Sequence, residues 1–167
     1  SVWYPGAEPG GGGYIGTHTV RELLDSGHQV TVVDNNYVGG GIGLLQFIGR
    51  KNVNVIIGDI RNFDFINSLI IGHDKVVHLA AIVGEPACDK DENIAKEINV
   101  DGTLNVLKAC LNNKIKHLHF MSTASSYGVQ DDQTIADENT PVNPISFYAK
   151  TKLDMEDKLL NSSNPNF

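Results

Sequence analysis

Short β-branched runs alternate with segments of helical periodicity over most of this 167-residue chain. The runs QVTVVD, NVNVIIGD, KVVHLAA and IKHLHFMS predict strands at 29–34, 52–59, 75–81 and 115–122. Helices are predicted at 14–26, 62–70, 92–113 and 146–161, with a loop and one helical turn at 39–49. In the longest helix, the apolar side chains expected on the buried side are Ile94, Ile98, Leu104, Val106, Leu107 and Leu111. Because strands and helices alternate, the chain is predicted to be an α/β protein built from βαβ units around a parallel sheet.

The segment SVWYPGAEP at 1–9 does not look like a buried strand. A sheet of this kind needs a central first strand at this point of the chain. Proline has no N–H group to donate to a central ladder, so Pro5 and Pro9 argue against a regular one. Two explanations are open: the first strand is short and irregular, or residues 1–9 depart from the natural sequence.

The next segment, PGGGGYIGTH at 9–18, carries glycines at Gly10, Gly13 and Gly16 and leads into the first predicted helix. A dinucleotide-binding fold needs glycines there for a tight turn, for close backbone approach to a pyrophosphate, and for helix–strand packing. The helix N-terminus supplies N–H groups and a partial positive charge. Four successive glycines also match many patterns by chance, so a flexible loop is the alternative.

Asp34 favours the dinucleotide interpretation, because it ends a predicted strand 18 positions after Gly16. A carboxylate at about this spacing binds ribose hydroxyls in dinucleotide-binding folds. It would repel a 2′-phosphate, and no Lys or Arg occurs between Asp34 and Arg50 to receive one. The predicted cofactor is therefore NAD rather than NADP. A P-loop is excluded, since no Gly-Lys-Ser/Thr follows the glycines.

Composition excludes several other functions. The net charge is −7, which disfavours nucleic-acid binding because such binding depends on neutralising phosphates. No apolar run approaches the roughly 20 residues that span a bilayer, and no secretory signal is visible, so no membrane association is expected. Cys88 and Cys110 are too few for a disulfide framework, which favours reduced thiols and a cytoplasmic location. No metal site is expected, since His117 and His119, which alternate in a strand, would need ligands from elsewhere.

The segment FYAKTK places Tyr148 and Lys152 four residues apart, on one face of a helix. A tyrosine is a poor base at neutral pH, but a nearby ammonium and a positive nicotinamide ring favour its phenolate. The segment MSTASSYG supplies hydroxyl groups at the end of a strand to orient a substrate alcohol. Alone, a Tyr-x-x-x-Lys pattern is usually a solvated helix face.

Together these pieces make the chain similar to the extended short-chain dehydrogenases/reductases, and in particular to the NAD-dependent nucleotide-sugar epimerases and dehydratases. The resemblance covers residues 10 to about 160, and the matching segments are GGGGYIGTH, VTVVDN, GDIR, VVHLAA, INVDGTLNVL, STASSYG and PISFYAKTK. It implies a Rossmann-like doubly wound parallel sheet, with residues 1–167 as one NAD-binding domain and the C-terminal substrate part truncated or absent. It also implies a homodimer that pairs through the helices at 92–113 and 146–161.

The resemblance implies roles residue by residue. The implied cofactor-binding residues are Gly10, Gly13, Tyr14, Ile15, Gly16, Asp34, Asn35, Asp59, Ile60, Leu79, Ala80, Ala81, Asn99, Tyr148 and Lys152. The first five would line the pyrophosphate, the next two the adenosine ribose and the next two the adenine. The segment 79–81 would pass beneath the cofactor, and Asn99 would support the site from its helix. Core packing for 79–81, a polar helix face for Asn99 and a turn for Asp59 are the alternatives.

The implied catalytic residues are Thr123, Tyr148 and Lys152, with Tyr148 as the base that removes a hydroxyl proton from a nucleotide sugar. The family's 4,6-dehydratases carry an Asp-Glu pair just after the active Ser/Thr, whereas Ala124 and Ser125 follow Thr123 here. The sequence therefore favours an epimerase similar to the UDP-glucose 4-epimerases. A dehydrogenase, reductase or dehydratase acting on sugar nucleotides, or a non-catalytic dinucleotide-binding protein, is the alternative.

Overall fold

The computed structural model describes residues 2–6, 13–36, 40–130 and 135–162, the first of these ranges by its backbone. The described strands are β1 (Val2–Gly6), β2 (Val30–Asp34), β3 (Val53–Ile57), β4 (Lys75–His78) and β5 (His117–Phe120). The described α-helices are α1 (Tyr14–Asp25), α2 (Phe63–Leu69), α3 (Glu85–Lys90), α4 (Glu92–Lys96), α5 (Thr103–Asn112) and α6 (Phe147–Leu160). A 3-10 segment covers Gly40–Phe47 and a second one covers Ala124–Tyr127.

The five strands form one parallel sheet in the order β3-β2-β1-β4-β5. The chain runs outward from β1 to β3 and then returns to the other side of β1 with β4. The strand order therefore reverses between β1 and β4. In open parallel sheets, ligands bind at the carboxyl ends of the strands beside such a reversal.

The first strand forms, but its two ladders differ in length. The ladder to β2 runs from the pair Val2–Val30 to the pair Gly6–Asp34. The ladder to β4 pairs Val2 with Lys75 and Trp3 with Val76, and so stops before Pro5. This short ladder agrees with one of the two explanations that the sequence left open, namely a short and irregular first strand. Proline has no N–H group to donate to a second ladder.

The sheet buries apolar side chains on both faces, as the alternation of β2 requires. Val32 and Val33 are both fully buried and belong to different clusters, because successive strand residues point to opposite faces. The cluster on the face of α1 contains Val20, Leu24, Val30, Val32, Leu44 and Phe47. The larger cluster on the other face includes Val33, Ile66, Ile70, Val76, Ile98, Val106, Ile115 and Leu118.

The single helix predicted at 92–113 is wrong in its middle. A π-helical turn at Glu97–Gly102, called the π turn below, separates α4 from α5. At the end of the π turn, the hydroxyl of Thr103, the first residue of α5, donates to the Asn99 carbonyl at 2.8 Å. Gly102 packs on Ile60. Leu111, which a continuous helix would bury, is 38% exposed. α3 was not predicted, and the predicted helical turn at 39–49 is the 3-10 segment at Gly40–Phe47.

Candidate active site

The carboxyl ends of the strands and the N-terminus of α1 surround a cavity of about 470 Å³. The residues that line it are Tyr14, Ile15, Leu79, Val83, Met121, Ser122, Thr123, Ala124, Tyr148 and Lys152. Six of these are site residues that the sequence predicted, from four separate parts of the chain. The parallel sheet brings them together because its strands all end at the same edge.

The glycine loop enters the cavity through the start of α1. Gly10 lies outside the described residues. Gly13 is the N-cap of α1 and Gly16 is buried one turn later, while Tyr14 and Ile15 are exposed at the cavity wall. Among the described residues, the first turn carries no acidic side chain and no side chain caps it. A helix end of this kind can receive an anion, because its N–H groups and dipole present positive charge.

Asp34 ends β2 and is 6% exposed. Its Oδ1 accepts a hydrogen bond of 2.7 Å from the backbone N–H of Asn36, which adopts a left-handed conformation with φ 55°. Asp34 and Asn36 also border a second cavity of about 190 Å³ with an otherwise apolar lining of Leu44, Leu45, Ile48, Val55, Ile56 and Ile57. The predicted ribose acceptor thus lies at the end of β2, next to an apolar slot.

Asn35 and Asp59 are linked across neighbouring strand ends, by a long hydrogen bond of 3.4 Å from Asn35 Nδ2 to Asp59 Oδ2. Burial raises the pKa of Asp59, but hydrogen bonds from Arg61 and Asn35 outweigh burial and hold that pKa below its ordinary value. The bond to Asp59 also raises the pKa of Arg61, which reaches Glu97 at 3.1 Å as well. Arg61 was not predicted as a site residue, although the segment GDIR contains it.

Ile60 is 2% exposed and belongs to the core. Its carbonyl accepts a hydrogen bond of 3.1 Å from Asn105 Nδ2 on α5. A Cβ at Gly102 would come within 2.5 Å of Ile60 Cδ1, so the π turn packs directly on this residue. At the predicted adenine site, the side chain of Ile60 therefore serves packing.

The segment after β4 forms the floor of the cavity. Leu79 lines it, while Ala80 and Ala81 are each 1% exposed. Asn99, which the π turn carries and which is 1% exposed, holds the next residue by both backbone groups. Its Oδ1 accepts from Ile82 N at 2.7 Å, and its Nδ2 donates to Ile82 O at 2.9 Å. Asn99 thus fixes the end of the floor from its helix.

The beginning of the floor is fixed by a buried histidine. His78 Nε2 lies 2.9 Å from the Thr103 hydroxyl, and that hydroxyl donates to the Asn99 carbonyl. The histidine must then carry its proton on Nε2, because the single hydroxyl proton of Thr103 is already used. Burial, with a smaller contribution from the charge of Lys152, lowers the pKa of His78 to about 3. Nothing in the sequence signalled this role of His78, which appeared only as part of an apolar strand.

Lys152 and Tyr148 lie side by side on α6 and are 3% and 7% exposed. Lys152 Nζ donates to the Met121 carbonyl at 2.9 Å and lies 4.6 Å from the centre of the Phe120 ring. Burial lowers the pKa of Lys152 to about 8. Burial raises the pKa of Tyr148, and a hydrogen bond from Thr123 acts in the opposite direction. The three predicted catalytic residues are therefore adjacent, with the ammonium directed to a backbone carbonyl.

Two further polar residues at this edge were not predicted. Ser122 is one of several hydroxyl residues in the segment MSTASSYG, and the sequence analysis assigned no role to Glu156. Ser122 Oγ donates to Glu156 Oε2 at 2.7 Å. Continuing the helical face of Tyr148 and Lys152 by four residues is the signal that would have found Glu156.

Across the described ranges, no group of three or more His, Cys, Asp or Glu side chains is arranged to hold a metal ion. Among the helices that the structure describes, none has the length and apolar character needed to cross a membrane. Cys88 and Cys110 are both buried.

Residues 9–164 match the sequence family described as the NAD dependent epimerase/dehydratase family. The UDP-glucose 4-epimerase of Halalkalibacterium halodurans is 38% identical over 151 residues, covering 88% of this chain and 42% of that protein. The UDP-N-acetyl-alpha-D-glucosaminuronate decarboxylase of Bacillus cytotoxicus is 40% identical over 119 residues, covering 71% of this chain and 36% of that protein. The chain thus spans less than half the length of these curated relatives.

Among solved structures, the UDP-glucose 4-epimerase of Thermus thermophilus in complex with NAD is similar, with a TM-score of 0.83 at 30% identity. The match covers 95% of this chain and 49% of that one. This similarity confirms the Rossmann-like α/β fold that the sequence predicted.

Proposed function

Because the chain belongs to the NAD-dependent epimerase/dehydratase family of enzymes, we propose that it forms the NAD-binding and proton-transfer part of a nucleotide-sugar epimerase. The observation that carries this proposal is the 470 Å³ cavity. It joins an uncapped helix N-terminus at Gly13 to the cluster of Thr123, Tyr148 and Lys152. This arrangement supports anion binding and proton transfer in one space.

The described residues fit a bound NAD molecule. The start of α1 would receive the pyrophosphate, since its first turn carries no acidic side chain. Asp34 would accept hydrogen bonds from the adenosine ribose, and its charge would oppose a 2′-phosphate. The floor at 79–81 is apolar and closely held, which suits a flat ring system. Bound NAD would supply the hydride acceptor that withdraws and returns a hydrogen at a sugar carbon.

Tyr148 would take the proton from the reacting sugar hydroxyl, and Thr123 would orient that hydroxyl. Burial keeps the Tyr148 phenol protonated in the described structure, so the base role requires additional positive charge at the site. The Lys152 ammonium lies on the same helix face and is still protonated at neutral pH, since its pKa is about 8. Lys152 would also hold a ribose hydroxyl of the cofactor.

Epimerisation is favoured over dehydration by the residues that follow Thr123. Ala124 and Ser125 begin a 3-10 segment there, and neither can act as the acid or base that dehydration needs. Ala124 lines the cavity directly. The curated epimerase relative supports the same choice.

Two measurements on the natural full-length protein test this function. Calorimetry should show binding of NAD, and incubation with UDP-glucose should yield UDP-galactose, separated by chromatography. NAD binding without turnover of UDP-glucose, UDP-N-acetylglucosamine or dTDP-glucose would identify a non-catalytic dinucleotide-binding protein instead. Failure to bind NAD at all would reject both functions.

A further inference from the structure

One face of α6 carries three polar side chains at intervals of four residues: Tyr148, Lys152 and Glu156. Side chains at such intervals lie one above another on a helix. This face packs against residues 121–123, the segment that leaves β5 and enters the cavity. Tyr148 and Lys152 already have proposed roles, whereas Glu156 has none.

Each of the three side chains holds a different residue of that segment. Lys152 Nζ donates to the Met121 carbonyl at 2.9 Å. Ser122 Oγ donates to Glu156 Oε2 at 2.7 Å, and Thr123 lines the same cavity as Tyr148 and lowers the pKa of its phenol. At 2.7 Å, the bond to Glu156 is shorter than the 2.9 Å bond that Lys152 makes. It lies between the other two contacts along the segment.

Glu156 lies on the far side of the segment from the reacting groups. Ser122 lines the 470 Å³ cavity and also a third cavity, of about 210 Å³. Glu156 lines this third cavity, together with the apolar side chains Leu118, Phe120, Leu159 and Leu160. The carboxylate therefore reaches the site through Ser122 rather than by contact with a substrate.

We propose that Glu156 is a positioning residue for the proton-transfer step: by fixing Ser122, it holds Thr123 against the Tyr148 phenol and Met121 against Lys152. This inference rests on the proposed function, because it gives Glu156 a purpose in the same site. It predicts that losing the Ser122–Glu156 bond weakens the contact between Thr123 and Tyr148.

Glu156 could change the pKa of Tyr148 by positioning Thr123 or through its own negative charge, and the two effects have opposite signs. The groups beside Tyr148 are Thr123, the Cys88 thiol and, one turn along the helix, Lys152. The hydrogen bond from Thr123 lowers the pKa of Tyr148, so weakening that bond should raise it. Removing a negative charge near a phenol should instead lower its pKa. The direction in which the pKa of Tyr148 shifts therefore distinguishes a positioning role of Glu156 from a direct effect of its charge.

The test is an ultraviolet titration of the Tyr148 phenolate in the natural full-length protein without cofactor. Each variant is compared with the same variant carrying Tyr148→Phe, which subtracts the absorbance of every other tyrosine. Ser122→Ala and Glu156→Ala should each raise the pKa of Tyr148 by roughly half a unit to one unit, the equivalent of one hydrogen bond. Glu156→Gln keeps an acceptor oxygen and should cause a smaller rise.

Asp157→Asn is the matched control, since it removes an exposed carboxylate from the neighbouring position of α6 and should leave the pKa unchanged. An unchanged pKa in Ser122→Ala, or a lowered one in Glu156→Ala, would overturn the inference even if both variants lost thermal stability. The titration needs neither NAD nor a sugar. A protein that fails to bind NAD would therefore refute the proposed function without affecting this result.

Discussion

Tyr148 is a neutral phenol in the described structure, because burial raises its pKa and the Thr123 hydrogen bond offsets this in part. The sequence predicted that Tyr148 and Lys152 share one face of a helix and that Thr123 lies at the end of a strand. The fold brings all three residues into one cavity. What the sequence could not predict is the direction of the Lys152 side chain. Its ammonium is bound to the Met121 carbonyl, a contact that depends on how α6 packs on β5.

Replacing Tyr148 by Phe should abolish hydride transfer in the full-length protein and leave NAD binding nearly intact. The phenol oxygen is needed for the proton, while the ring still fills its place. Lys152→Ala should weaken both activity and NAD binding, and Thr123→Val should reduce activity by at most about 10²–10⁴-fold, the range typical of a positioned proton-transfer group. Absorbance of reduced NAD on adding a UDP-sugar measures the first hydride transfer, and conversion of UDP-glucose to UDP-galactose measures turnover. Near-normal turnover by Tyr148→Phe would contradict the mechanism.

Replacing Asp34 by Ala should narrow the difference in affinity between NAD and NADP. The wild-type carboxylate is proposed to accept hydrogen bonds from ribose hydroxyls and to repel a 2′-phosphate, so NAD is expected to bind more tightly than NADP. Calorimetric titration of both cofactors against both proteins measures this. Equal or tighter NADP binding by the wild type would show that Asp34 does not select the cofactor.

The sequence failed to predict α3 and the π turn, and of these the π turn bears on the site. Apolar spacing identified a helix over 92–113, but spacing does not reveal where one extra residue enters a turn. The wider turn is set by tertiary contacts instead, namely Asn99 with Ile82 and Thr103 with His78. β1 was difficult for a similar reason: Pro5 argues against a central strand by local rules, yet the ladder to β2 accommodates it.

Gly102→Ala should destabilise the fold by about 1–3 kcal/mol, the usual effect of an added methyl group in a filled core. The new Cβ would lie 2.5 Å from Ile60 Cδ1. Urea unfolding measures the free energy of unfolding. Adding Ile60→Val removes Cδ1 but keeps Cγ1, which lies 2.7 Å from the new Cβ, so it should recover only part of the loss. Adding Ile60→Ala removes both atoms, and a loss as large in that background as in the wild type would place the strain elsewhere.

The burial of His78 predicts a pH dependence of stability. The pKa of His78 is about 3 when folded and about 6.5 when unfolded, so between these values the unfolded chain binds a proton that the folded chain does not. The free energy of unfolding should therefore fall as pH drops below about 6.5. His73, whose pKa burial also lowers, adds to this slope.

His78→Gln isolates the contribution of His78, because the Gln amide can still donate to Thr103 but does not titrate. Urea unfolding between about pH 7 and about pH 5.5, above the range in which most carboxylates titrate, should show a shallower slope for this variant. Equal slopes for wild type and variant would mean that folding does not change the pKa of His78.

At the scale of the whole molecule, the order of strands and helices was sufficient to predict the sheet and its parallel direction. The family resemblance supplied the remaining expectation, a homodimer formed by the helices at 92–113 and 146–161, and this stays a prediction. Leu111 on α5 and Leu160 on α6 are exposed apolar residues of these segments. Sedimentation of the full-length protein at micromolar concentration should give a dimer, and a monomer would contradict it.

The π turn also limits how the length of this chain can vary. In an α-helix each residue advances the side-chain direction by about 100°, so one residue more or less rotates everything beyond it. Deleting a single residue between 99 and 103 would turn Asn99 and Thr103 out of phase with each other, so that either Ile82 or His78 would lose its partner. Insertions and deletions should therefore be tolerated more readily in the surface loops than in the π turn. Among natural variants of this chain, the number of residues between Asn99 and Thr103 should vary as little as the identities of these two residues.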